Sequence, residues 1–148
     1  MGTLEHETQI SFEAIGKKLQ SAKPLDKDET FLIFGRATNF ASSLIDERLD
    51  RPYTALPMSI EVRSHMTVIV LDRVVSLYQS GSTLLFDGLK KTICETFLIK
   101  EENLSSERLY SVLSLNLDEY FTKEIDEEVR KKMGFIREAV NQVVPSKN

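Results

Sequence analysis

The chain has 148 residues, enough for one domain that buries roughly two-thirds of its unfolded surface without a metal or disulfide staple. Nineteen Lys and Arg stand against 23 Asp and Glu, a formal charge of −4, and no basic run exceeds Arg130-Lys131-Lys132, which excludes phosphate-driven nucleic-acid binding. The single cysteine, Cys94, has no internal partner, Met1 to Glu7 lack the parts of a signal peptide, and apolar runs such as Val68 to Leu71 fall far short of the ~20 residues that cross a bilayer. These features lead us to expect one cytoplasmic domain over residues 1–148, without a membrane span, whose partner is a small molecule or a protein.

Proline is absent between Pro57 and Pro145, and that favours helix, because proline removes a ladder donor and clashes inside one. The first predicted helix runs from about Glu7 to Gln20, with Ile10, Ala14 and Leu19 or Phe12 and Ile15 inward, and stops at Ser21 to Pro24. Asp26 or Asp28 caps the second, in which Phe31, Phe34, Ala37, Ala41, Leu44 and Ile45 recur at helical spacing until Asp50-Arg51-Pro52 ends it. Residues Arg51 to Pro57 read as an irregular connector carrying Tyr53 and Leu56.

Ser59 then caps a segment from Ile60 to Ser80 that is apolar around much of its circumference: Val62, Met66, Ile69, Val70, Arg73, Val74 and Leu77 form one stripe and Val68, Leu71, Val75 and Tyr78 another. A helix of this kind is expected to be central. The β-branched run at Val68 to Leu71 also suits a buried strand, but the pattern persists for about 20 residues, beyond usual strand length. After the turn at Ser80-Gly81-Ser82 comes a helix with Leu84, Leu85, Leu89, Ile93, Phe97 and Leu98 inward, fading at Lys100 to Asn103. Ser105 or Ser106 starts another, with Leu109, Val112, Leu113, Leu117, Tyr120 and Phe121 inward, and the last stripe is Ile125, Val129, Met133, Ile136, Val140 and Val143. One continuous helix from Ser106 to Val144 would be roughly 58 Å long, more than a domain of this size usually holds, so a break is placed near Thr122.

Motifs for catalysis are missing. The sequence has no glycine-rich phosphate loop, no paired zinc histidines and no nucleophile elbow, and the acidic run Glu124 to Glu128, followed by Arg130 to Lys132, reads as a solvated helix face. An enzyme is not expected. His65 stands in an apolar helix, where it is either a satisfied core histidine or a ligand contact. Arg36, Arg63 and Arg73 either extend outward or receive an anion entering the core. Phe31, Phe34, Phe40, Met58, Met66 and Ile69 either pack the core or wall a cavity. The candidate ligand-binding set is Arg36, Phe40, Arg63, His65, Met66, Ile69 and Arg73.

The order of segments, with Pro52 after the second helix and His65 within the central one, resembles the globin fold over nearly the whole chain. No histidine follows His65, so the proximal ligand of a haem globin is missing and no haem is expected; Cys94 reads as a small buried apolar residue. The fold expected is therefore all-α and globin-like without haem. In this the chain looks like the haem-free globin-fold sensor domains of Bacillus, which occur on stress-signalling proteins, on sporulation histidine kinases and as stand-alone sporulation-inhibitory proteins. The resemblance implies a homodimer with an apolar tunnel for a fatty acid, a site for a small anion such as chloride, and a decoy role that titrates the signal of a histidine kinase. Packing of the last two helices against their twofold copies is the expected dimer contact. The other reading is an all-α interaction module, an adaptor or anti-activator, with no small-molecule ligand.

Overall fold

A computed structural model describes residues 12–49 and 58–145. The expected helical residues 7–11, His6 and the connector at 51–57, with Pro52, Tyr53 and Leu56, lie outside the described residues. Among those described there is no strand. The helices are α1 (residues 12–20), α2 (Lys27–Arg48), α3 (Ile60–Gln79), α4 (Leu84–Thr96), α5 (Ser106–Phe121), α6 (Glu127–Lys131) and α7 (Met133–Val143), with one 3-10 turn at Glu101–Asn103. The protein is all-α, as the scarcity of proline favours.

Helix starts follow local chemistry. The Asp26 side chain accepts from the Glu29 amide at 2.8 Å while the Glu29 carboxylate accepts from the Asp26 amide at 2.9 Å, a reciprocal capping box. Both oxygens of that carboxylate also accept from Lys18 Nζ at 2.8 Å, which ties α1 to the start of α2. Ser59 and Ser105 cap α3 and α5 by accepting from the amides of Val62 and Arg108. At the turn after α3 the N-cap of α4 is Thr83, without a side-chain cap bond.

Three helices end in the same way, with a residue of positive φ one step past the cap and an amide bonded five residues back. Lys23 donates to the Lys18 carbonyl around Ala22, Ser82 to Leu77 around Gly81, and Ile99 to Cys94 around Leu98. This is the Schellman closure. Gly81 adopts φ 103° freely, whereas Ala22 and Leu98 hold φ 58° against the Cβ penalty of the left-handed region.

Carbonyls at the ends of α1 and α7 also accept from arginines of other helices. Arg108 of α5 donates to the carbonyls of Lys18, Leu19 and Lys23 at the end of α1. Arg48 of α2 donates to the Val143 carbonyl at 2.9 Å, and Arg73 of α3 to the Val144 carbonyl at 2.8 Å and Asn141 Oδ1 at 3.1 Å, so two guanidinium groups hold the end of α7. Positive charge is favourable at that negative end of the helix dipole.

α3 is central. It packs against α2, α4, α5, α6 and α7, and its buried residues, from Val62 to Leu77, point in several directions. α2 lies against α3, α4, α5 and α7 through Ile33, Ala37, Ala41, Leu44 and Ile45. That phase puts Phe31, two residues before Ile33 and so on the other side of the helix, at 64% exposure rather than inside. On α4 the buried stripe is Phe86, Leu89, Ile93 and Cys94, continued by Phe97, which leaves Leu84 exposed in the first turn and Leu98 exposed at the turn that closes the helix. α1 meets α4 closely: a Cβ on the buried Gly16 would stand 2.3 Å from the Phe97 carbonyl oxygen, and the Phe12 ring sits edge-on to Phe97.

The C-terminal region breaks twice. α5 stops at Phe121, where Thr122 caps it, and the single helix expected from Ile125 to Val143 divides at Lys132. There φ −97° and ψ 8° tighten the turn, and the Lys132 amide is shared between the carbonyls of Glu128 and Val129. The division lets Val129 face α3 while Ile136, Ala139, Val140 and Val143 form the buried face of α7.

Candidate functional site

His65 stands two turns into α3 from Ser59, on the side of that helix where α5 ends and α6 begins. The residue is buried, at 5% exposure, and its Nδ1 lies 3.1 Å from the Tyr120 hydroxyl. Tyr120 and Phe121 close α5, and the chain then turns through residues 123–126 before α6, so the end of one helix and the start of two others leave a gap they do not fill. That gap is a pocket of about 290 Å³, half open to solvent. From α3 it is lined by Ile60, Glu61, Ser64 and His65; from α5 by Tyr120 and Phe121; and from the following turn and α6 by Lys123, Glu124, Ile125, Asp126 and Val129.

Its walls are mostly apolar or aromatic. Ile60, Phe121 and Ile125 remain exposed around the mouth, at 69%, 43% and 39%. Burial pushes the His65 imidazole below its ordinary value of 6.5, so it is neutral at physiological pH, and burial raises the Tyr120 phenol, which therefore keeps its proton. Together they offer a neutral donor and acceptor pair at the inner end of an apolar recess. A site of this type can orient the polar end of a small amphiphile, since pockets commonly combine apolar walls with a few placed polar groups.

Of the residues singled out in the sequence, His65 alone lines this pocket. Arg36 is exposed on α2 and borders a separate shallow groove with Phe12, Phe31 and Leu32. Phe40 is half-buried and lies against α4, its ring atoms 3.4 Å from where a Cβ on Gly88 would stand. Met66 is fully buried in the core, while Arg63 and Ile69 are half-buried on α3. Arg73 is directed to the end of α7. Phe31 and Phe34, expected as cavity walls, instead line a pocket of about 320 Å³ between α2 and α5 on the other side of Tyr120, and Phe40, Arg63, Met66, Ile69 and Arg73 line neither that pocket nor the His65 pocket. No lining residue comes from α4, and Cys94 there is buried, its thiol raised by burial.

Tyr120, Phe121 and the turn after them carry the site and were not identified as ligand residues from sequence. The available signal was an aromatic pair at the end of an amphipathic helix, one helical partner short of the core. Among the described residues no group of three or more His, Cys, Asp or Glu side chains is placed to hold a metal ion, and no helix is long and apolar enough to cross a membrane. No protein-family model, no curated protein and no solved structure matches the chain.

Proposed function

We propose that the protein is a non-enzymatic, sensor-like domain that takes an apolar or amphiphilic ligand in the His65 pocket and passes its occupancy to a signalling partner. The pocket carries this reading: an apolar recess of about 290 Å³ whose inner end is a neutral, hydrogen-bonded His65–Tyr120 pair. A globin-like arrangement is supported by the central position of the helix that bears His65 and by the order of long helices around it. The resemblance to haem-free globin-fold sensors adds the biological setting, a decoy or regulator in cytoplasmic sporulation or stress signalling through a histidine kinase; the fatty acid and chloride that the resemblance also implies are not favoured by Glu61, Glu124 and Asp126 around this pocket.

A homodimer belongs to the same proposal. Most of the apolar stripes of α5 and α7 are buried inside the protomer, and the large apolar side chains left for a twofold contact away from the pocket mouth are Leu115 and Phe135. Organic extraction of the purified protein followed by mass spectrometry tests the ligand. A stoichiometric small amphiphile is expected, and ligand-free protein in repeated preparations, with no affinity for medium-chain amphiphiles, contradicts the proposal.

The alternative, an all-α interaction module with no small-molecule ligand, is favoured by one observation: Phe31, at 64% exposure, Leu32 and Leu115, at 70%, remain on the surface of α2 and α5. In that case the pocket binds none of the amphiphiles, and substitution of Phe31 and Leu115 by serine abolishes partner binding.

A further inference from the structure

The pocket has a charge preference as well as apolar walls. One side of it, from the buried His65 to Phe121 at the mouth, is a corner of three rings. The His65, Tyr120 and Phe121 centroids are 5.8, 6.2 and 5.2 Å apart, and the Phe121 plane stands at 84° to His65 and 89° to Tyr120. Aromatic faces carry partial negative charge and attract cations, most of all alkylated ammonium groups, which other proteins hold among several rings set at steep angles.

The charged groups around the corner point the same way. Glu61 of α3, Glu124 of the turn and Asp126 at the start of α6 line the pocket, against the one ammonium group of Lys123 among the lining residues. His65 adds no positive charge at neutral pH, because burial depresses its protonation. α5 ends at Phe121, so the negative end of its dipole is directed to the same place. The starts of α3 and α6 also border the pocket; there Ser59 accepts from the Val62 amide and the Asp126 carboxylate from the Glu128 amide, so each positive end is partly satisfied, the second by a negative charge. A carboxylate head would face three carboxylates, whereas an ammonium head would be complemented by them.

We propose that the pocket selects a cationic amphiphile, an alkylamine or alkyl quaternary ammonium, with its head in the His65–Tyr120–Phe121 corner and its chain running out over Ile60 and Ile125. The inference rests on the reading of this pocket as a ligand site. The volume of about 290 Å³ holds roughly ten heavy atoms at the ~30 Å³ of a water molecule. A head group and a short length of chain fill it, and a longer chain continues across the exposed mouth.

The test uses the full chain, labelled with nitrogen-15 and titrated at neutral pH with three probes of one chain length: octyltrimethylammonium, octanol and octanoate. The ammonium probe is expected to shift the amides of Ser64, His65, Tyr120 and Phe121 and to bind about tenfold or more tighter than octanoate, with octanol between them. In Glu61→Gln and Glu124→Gln, both at exposed positions, the ratio of ammonium to octanoate affinity narrows several-fold. Octanoate binding as tightly as the ammonium probe, or tighter, overturns the charge preference and leaves the pocket reading intact. Failure of all three probes to perturb these residues overturns the pocket reading and this inference together.

Discussion

Replacing Tyr120 with phenylalanine isolates the hydrogen bond at the centre of the proposed site. The ring contact with Phe121, at 5.2 Å and 89°, does not involve the hydroxyl, so packing is retained and only the 3.1 Å bond to His65 Nδ1 is lost. A typical intramolecular hydrogen bond contributes about 0.5–1.5 kcal/mol net, and a partner left buried and unsatisfied adds to the loss. His65 borders a half-open pocket through which water can reach it, which places the expected cost near the middle of that range, about 1 kcal/mol. For a domain of this size that lowers Tm by roughly 2–4 °C in differential scanning calorimetry. Unchanged or increased stability would refute the pairing of His65 with Tyr120.

The same histidine sets a pH dependence with a definite sign. Burial holds its folded-state protonation below the ordinary 6.5, so as pH falls past 6.5 the unfolded chain takes up the proton first. Stability is complete above that value and is lost as pH falls toward the depressed folded value, and His65→Gln flattens this part of the urea-denaturation profile.

The fold makes further predictions. Gly16→Ala sets a Cβ against the Phe97 carbonyl and is expected to cost about 1–3 kcal/mol from overpacking, less about 1 kcal/mol gained in helix propensity, read as a lowered urea midpoint. Leu98→Gly relieves a left-handed residue that is 72% exposed; against the roughly 1–2 kcal/mol penalty stands the ~0.5–1 kcal/mol entropy of glycine, so a stabilisation of about 0.5–1 kcal/mol is expected in the same assay. Arg73→Met keeps the aliphatic stem but removes the donors to Val144 and Asn141, with an expected loss of about 1–3 kcal/mol and earlier amide exchange at the end of α7.

The helices were legible because their signals are local. Ser59 and Ser105 sit where a cap must sit, Asp26 has Glu29 three residues later, and the unbroken apolar character of Val62 to Leu77 marked α3 as central. Facing was harder to read. Phe31 and Leu84 match a helical repeat in sequence, but the stripes through Ile33 and Phe86 bury more area against neighbouring helices, and only the packing chooses between the two phases. The arginines show the same limit. Arg73 looked like an anion receptor within an apolar stripe, yet its target is the end of a helix 71 residues away in sequence, a distance over which periodicity carries no information. His65 was legible as an exception on an apolar helix, whereas its partner Tyr120 lies 55 residues on. The break at Thr122 is expected because a single helix would be too long, while the division at Lys132, two residues before Gly134, lets Val129 and Ile136 pack onto a common core.

Crystals of the protein grown with saturating octyltrimethylammonium test the His65 pocket most directly. A ligand site predicts continuous density between α3 and α5, with the head group against the rings of His65, Tyr120 and Phe121 and the chain passing Ile60. A pocket holding only water, or closed by the Phe121 side chain, would contradict it.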